Sequence, residues 1–194
     1  IDSLVSSANY SEAKSLIQTL GDLNSSPLLL NKSAEVSILQ GKFDEAELIL
    51  TTVKSEDPFI QAITQTNLGF LYLNKARNDL ALDNLQQALT KFRNSGKQNS
   101  QEAAKCLSHL SSLYLSTGKL NQAEENGLMS LQIRQAVENK NDEAMAASYN
   151  DLGLVYSQTD VDKALESYEK ALAVYEELHG NDHPKIAIAN TNIG

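Results

Sequence analysis

The 194-residue sequence contains no tryptophan, one cysteine and three prolines. A single thiol, Cys106, cannot build an internal disulfide framework, which fits a reducing compartment; on an apolar helical stripe it reads as a small buried side chain. The three prolines and nine glycines fall mostly in turns. No apolar run is long enough to cross a membrane, and no secretory or lipidation motif is present, so neither membrane insertion nor a lipid anchor is expected. No glycine-rich phosphate loop appears either.

Positive charge is also scarce. Sixteen Lys and Arg face 25 Asp and Glu, giving a formal charge of −9. Neutralising a phosphate backbone needs a basic stripe, so nucleic acid is not an expected partner. Glu124, Glu125, Glu166, Glu169, Glu176 and Glu177 read as a solvated outer helix face.

What the sequence has is periodicity. Gly69, Ser111, Gly153 and Gly194 follow one another at steps of 42, 42 and 41 residues, each after a Leu or Ile. The first three are followed three residues later by Tyr72, Tyr114 and Tyr156. A second series, Ala13, Ala46, Ala81, Ala123 and Ala164, runs in phase with the first. Two interleaved series predict two helices per unit, with the unit packing against its own copies.

The segment Leu68-Gly69-Phe70-Leu71-Tyr72, with Ala81, Leu85 and Ala88, carries a Leu-Gly-x-x-Tyr and Ala-x-x-x-Leu-x-x-Ala pattern. Leu110-Ser111-Ser112-Leu113-Tyr114 with Ala123, and Leu152-Gly153-Leu154-Val155-Tyr156 with Ala164, Tyr168 and Ala171, repeat it. These residues resemble the tetratricopeptide repeat superfamily. The resemblance implies an all-α fold, a right-handed α-solenoid of antiparallel helix hairpins, in a single domain. Its parts are expected as a half repeat at 1–26, repeats at 27–56, 57–98, 99–141 and 142–182, and the first helix of a further repeat at 183–194. The 42-residue step and the segment from Glu176 to Pro184 resemble the kinesin light chain subtype.

On a helix, Leu68, Gly69 and Tyr72 share one stripe, where the small Gly lets the paired helix approach its Ala81, Leu85 and Ala88 face. Gly41 and Gly118 are expected to end helices in the left-handed conformation. Pro58 and Pro184 are expected at first-turn positions, and Pro27 follows the loop Asn24-Ser25-Ser26. The turn at Thr159-Asp160 is one residue shorter than its equivalent and should differ in shape, with Asp160 as the cap.

In this family successive first helices line the inner wall of the superhelix, which makes equivalent residues stack in columns. One column reads Asn67, His109, Asp151 and Asn192; beside it run Thr66, Ser108, Asn150 and Thr191. Amide side chains offer both donors and an acceptor, so such a ladder suits a peptide backbone; the kinesin light chain resemblance implies an asparagine ladder. Phe70, Ser112 and Leu154, with Ile63, Leu73 and Leu115, add apolar surface, and Asn74 and Lys105 complete the candidate groove. Leu73 and Leu115 equally fit packing onto adjacent helices. A basic clamp of the kind that grips acidic carboxy-terminal tails is missing, since Lys105 is the one cation in the columns and Lys32 falls in the poorly matching first repeat.

Catalysis is not expected, because His109, His179 and His183 form no nucleophile–base–acid order. His179, Asp182 and His183 have metal-binding donors, but their spacing matches a helix-capping inter-repeat loop, and no metal or cofactor is expected. The leading reading is a non-catalytic scaffold that holds a peptide or protein segment, located in the cytoplasm. The sequence starts on Ile and stops on Ile193-Gly194, reading as an excised piece, so an organelle address on a removed end stays open. The same stop motivates a second reading, the sensor or regulatory part of a larger protease, cyclase or kinase. Self-association through open terminal repeats is compatible with either.

Overall fold

Leucine, alanine and glutamate at helical spacing, interrupted only at turn residues, give ten helices among the described residues. A computed structural model describes residues 4, 9–19, 26–136, 143–180 and 184–193. The residues expected in loops at Asn24-Ser25 and Asn181–His183, and the terminal Gly194, lie outside them. The chain divides into two compact units, Ile1–Gln98 and Asn99–Gly194. The fold is all-α and built of helix hairpins.

The first unit holds α1 (Tyr10–Thr19), α2 (Pro27–Leu39), α3 (Phe43–Thr52), α4 (Pro58–Asn74) and α5 (Asn78–Asn94). Helices α2 and α3 pair, as do α4 and α5, while α4 also packs on α2 and α3, and α1 on α2. Its core includes Ala34, Ile38, Ala46, Leu50 and Leu71, with Ala13, Ile17 and Val36 beneath α1. Phe92 is fully buried, and the Phe59 ring meets it edge-on at 5.9 Å.

The second unit holds α6 (Gln101–Ser116), α7 (Leu120–Ala136), α8 (Glu143–Tyr156), α9 (Val161–His179) and α10 (Pro184–Ile193). Helices α6 and α7 pair, as do α8 and α9; α8 packs on α7 and α6, and α10 on α9. Leu131, Met145, Leu152, Ala171, Val174, Tyr175 and Ile186 form a core that joins these hairpins. Cys106 is fully buried on α6, as its stripe predicts.

Helix starts follow local chemistry. Ser26, Asp57, Ser100 and Asp160 each cap a helix by accepting a backbone N–H from Leu29, Phe59, Ala103 and Lys163. Pro27, Pro58 and Pro184 open their helices where a missing donor costs nothing. Helices α3 and α5 have no side-chain cap, but Asp44, Glu45 and Asp79 lie in their first turns, where a carboxylate favours the dipole.

Several helix ends share one device. At Gly41, Gly96 and Gly118 the backbone is left-handed, with φ of 73°, 68° and 73°. The following N–H reaches back to close the last turn, Lys42 to Ser37, Lys97 to Phe92 and Lys119 to Tyr114, each at 2.8 Å. The turn between α4 and α5 makes the same bonds, Ala76 to Leu73 and Arg77 to Tyr72, but there the left-handed residue is alanine, at φ 54°. The turn after α8 differs, as its shorter spacing predicts: Ser157, Gln158, Thr159 and Asp160 donate to Gly153, Val155 and Tyr156 without a left-handed residue.

The small residues of the repeat sit where paired helices come closest. A Cβ on Gly69 would lie 2.5 Å from Leu85 Cγ, and one on Gly153 would collide with the Tyr168 ring. Ser111 occupies the equivalent place and donates its hydroxyl to the Ala123 carbonyl at 2.7 Å. Opposite it stands Gly127, whose missing side chain admits Leu152 from the next hairpin; a Cβ there would lie 2.8 Å from Leu152 Cδ2.

Candidate functional site

Each unit has its own first-helix faces, set by which stripe the hairpin consumes. On α6, Leu107, Leu110, Ser111 and Tyr114 are buried against α7, as their spacing predicts. Lys105, His109, Ser112 and Leu115 remain partly accessible. Ser108 does not join them. Its hydroxyl lies 3.0 Å from that of Ser130 on α7, which in turn donates to the Ala104 carbonyl. Residues 104, 108 and 111 are spaced four and three apart and so share the inward stripe.

The same geometry encloses Thr66, four residues after the buried Ala62 and three before Gly69. It is 2% exposed and its hydroxyl donates to the Ala62 carbonyl at 2.9 Å. Both residues were expected in an open column; the helical period places them inside.

Asn67, also expected on the open face, is equally enclosed, at 2% exposure. Its amide donates to the Asn31 backbone carbonyl at 3.0 Å and to Asn31 Oδ1 at 3.1 Å. Asn31 in turn donates to the Pro27 carbonyl and to Thr64 Oγ1. In the first unit, therefore, the amide column ties α4 to α2. Ile63 and Phe70 are half-buried on α4, and Asn74 is exposed, its amide folded back onto the Phe70 carbonyl.

In the second unit Asn192 on α10 donates to Asn150 Oδ1 on α8 at 2.9 Å. Thr191 is exposed, its hydroxyl donating to Ala187. Leu154 stands 39% exposed on α8, one turn beyond Asp151. Asp151 keeps part of its surface open, yet burial raises its carboxyl to about 6, against a lowering pull from Arg134.

Arg134 was not singled out in the sequence, although it continues the buried α7 stripe of Gly127, Ser130 and Leu131 and so was legible there. It is 7% exposed and donates through Nη1 to the Ala144 carbonyl and to Ser148 Oγ. Tyr175 on α9 completes this polar patch, its hydroxyl pushed up to about 12 by burial and by the charges of Glu143 and Asp151. His179 is the one described member of the triplet with metal-type donors, and its Nε2 lies 3.8 Å from Glu143 Oε1. Among the described residues no group of three or more His, Cys, Asp or Glu side chains is arranged to hold a metal.

On the second helices Glu125, Glu166, Glu169, Glu176 and Glu177 are exposed, as a solvated face requires, while Glu124 is half-buried beside Tyr156. No helix among the described residues is long and apolar enough to cross a membrane.

The tetratricopeptide repeat family model matches residues 60–136, 128–177 and 144–194, more than half of the chain. The chain belongs to the tetratricopeptide repeat family. The crystal structure of BtubC (BKLC) from P. vanneervenii is similar, with a TM-score of 0.74 and 23% identity over 96% of this chain and 80% of that one. At that identity the likeness is one of fold. No curated protein matches the chain. Tetratricopeptide hairpins are interaction modules.

Proposed function

We propose that this tetratricopeptide repeat chain is a non-catalytic scaffold that holds an extended or helical segment of a protein partner against its first helices. The observation that carries the reading is the mixed stripe on α8, where exposed Leu154 lies beside Asp151 and Asn150. On α4 the corresponding stripe carries exposed Asn74 beside Phe70, which is half-buried against the core of the first unit. Leucine left wet on a helix whose opposite stripe is fully packed favours an apolar partner side chain, and the neighbouring polar groups suit a peptide backbone. The enclosed Thr66, Asn67 and Ser108 are assigned to register rather than to contact. The repeat limits given above, and the kinesin light chain-like subtype with its 42-residue step, belong to the same reading. Helices of 16 and 17 residues in the α4–α5 and α6–α7 hairpins support the longer repeat.

The test is site-specific photocrosslinking in a native lysate. A photoreactive residue in place of Phe70 or Leu154 should yield partner adducts, while one in place of Leu128, exposed on second helix α7, should yield few. Adducts confined to position 128, or equal at all three, would remove the first-helix assignment.

A further inference from the structure

The strongest unassigned feature is Asp151. It sits on α8 between Asn150, engaged with Asn192, and the wet Leu154. Among the described residues its carboxylate takes part in no hydrogen bond and no ion pair. The nearby Arg134 directs its Nη1 to the Ala144 carbonyl and Ser148 hydroxyl instead. Its side chain stays partly open, three residues from the exposed Leu154 on the same helix. The Arg134 charge acts on this carboxylate while its Nη1 serves other acceptors, which leaves the carboxylate oxygens able to accept from a second cation.

The second unit as a whole is acidic, although Arg134 stands beside Asp151. Residues 99–194 hold 14 of the 25 acidic and 7 of the 16 basic side chains, a formal charge of −7. That field draws cations and repels an acidic segment.

Building on the scaffold reading above, we propose that the open stripe of α8 takes a basic peptide, whose Lys or Arg side chain reaches Asp151 while a neighbouring apolar side chain rests on Leu154. The two positions are three residues apart on one helix, so they share a face. They ask for a basic and an apolar group close together in the ligand. Asn150, held by Asn192, ties this stretch of α8 to α10.

A positional-scanning library of ten-residue peptides, each pool fixed at one position, tests this on the whole chain. Pools fixed as Lys or Arg should bind at least about tenfold more tightly than those fixed as Asp or Glu, as a charge-assisted contact implies. The difference should vanish in Asp151→Asn and persist in Glu166→Gln, which removes an exposed charge from α9. Replacing the Lys of the best peptide by norleucine should cause the same loss with the protein unchanged, so the result does not depend on how the variant folds. Loss of apolar preference in Leu154→Ala would complete the pattern. Pools that bind through Leu154 with no basic preference, or with an acidic one, overturn the Asp151 assignment and leave the scaffold reading standing. Pools that all fail to bind count against both.

Discussion

Exchanging the residues at positions 76 and 118 should change stability in opposite directions. Both lie in turns that close with the same pair of backbone bonds, and both are left-handed, yet one is alanine and the other glycine. An L-residue with a Cβ costs about 1–2 kcal/mol in that conformation. Glycine avoids it but loses about 0.4–1 kcal/mol through the greater freedom of its unfolded chain. The difference predicts that Ala76→Gly stabilises by about 0.5–1 kcal/mol and that Gly118→Ala destabilises by about the same amount. A Cβ built on Gly118 finds nothing within 4 Å, so no packing change obscures the comparison. Urea unfolding followed by circular dichroism at 222 nm reads both, and the paired exchange should return close to the parent because the two changes are of similar size and opposite sign. If Ala76→Gly lowers the midpoint, or Gly118→Ala leaves it unmoved, then conformational strain does not govern these turns and the reasoning is wrong.

Three other outcomes are expected. Gly153→Ala forces a Cβ into the Tyr168 ring and should cost about 1–3 kcal/mol despite the better helix propensity of alanine, measured as a drop in thermal midpoint; no drop would mean that the α8–α9 contact is loose. Asp151, faced by Arg134 and Tyr175, has a folded-state carboxyl at about 6 against an ordinary 3.8, so its ionised form is disfavoured on folding. Its contribution vanishes below about pH 4 and becomes a penalty of about 2–3 kcal/mol as pH rises through 6; Asp151→Asn should therefore melt higher than the parent at pH 7.5 and no higher at pH 4, and a parallel pair of pH profiles would contradict it. Asn67→Ala removes the buried bonds to Asn31 and should cost about 1–3 kcal/mol in chemical unfolding, whereas an amide free to serve a ligand would be replaced at little cost.

The repeat was legible because close helix approach leaves a mark in composition: Gly69 and Gly153 have no substitute with a Cβ, and Ser111 is accepted only with its hydroxyl bonded across the hairpin. Turns were legible where they need glycine or proline, as at Gly118 and Pro58. Ala76 left no trace, since alanine carries no signature of a left-handed backbone. The face of a helix was read less well than its existence. Thr66 and Ser108 stand next to column positions in sequence, but one residue is 100° of rotation on a helix, enough to move a side chain from groove to hairpin. Asn67 shows a different limit: an amide looks the same in sequence whether its partner is a peptide or the preceding helix.

The contact between paired helices also bears on how such chains can be re-engineered. At matching heights the hairpins are filled by glycine against leucine at 69 and 85, serine against glycine at 111 and 127, and glycine against tyrosine at 153 and 168. The bulk sits on the second helix at 85 and 168 but on the first at 111, and at 127 the vacancy is occupied by a neighbour's Leu152. Modules cut from this chain are therefore not interchangeable parts. A shuffled or averaged version must carry both members of each couple, and at 127 a third, or the joints will either collide or gape.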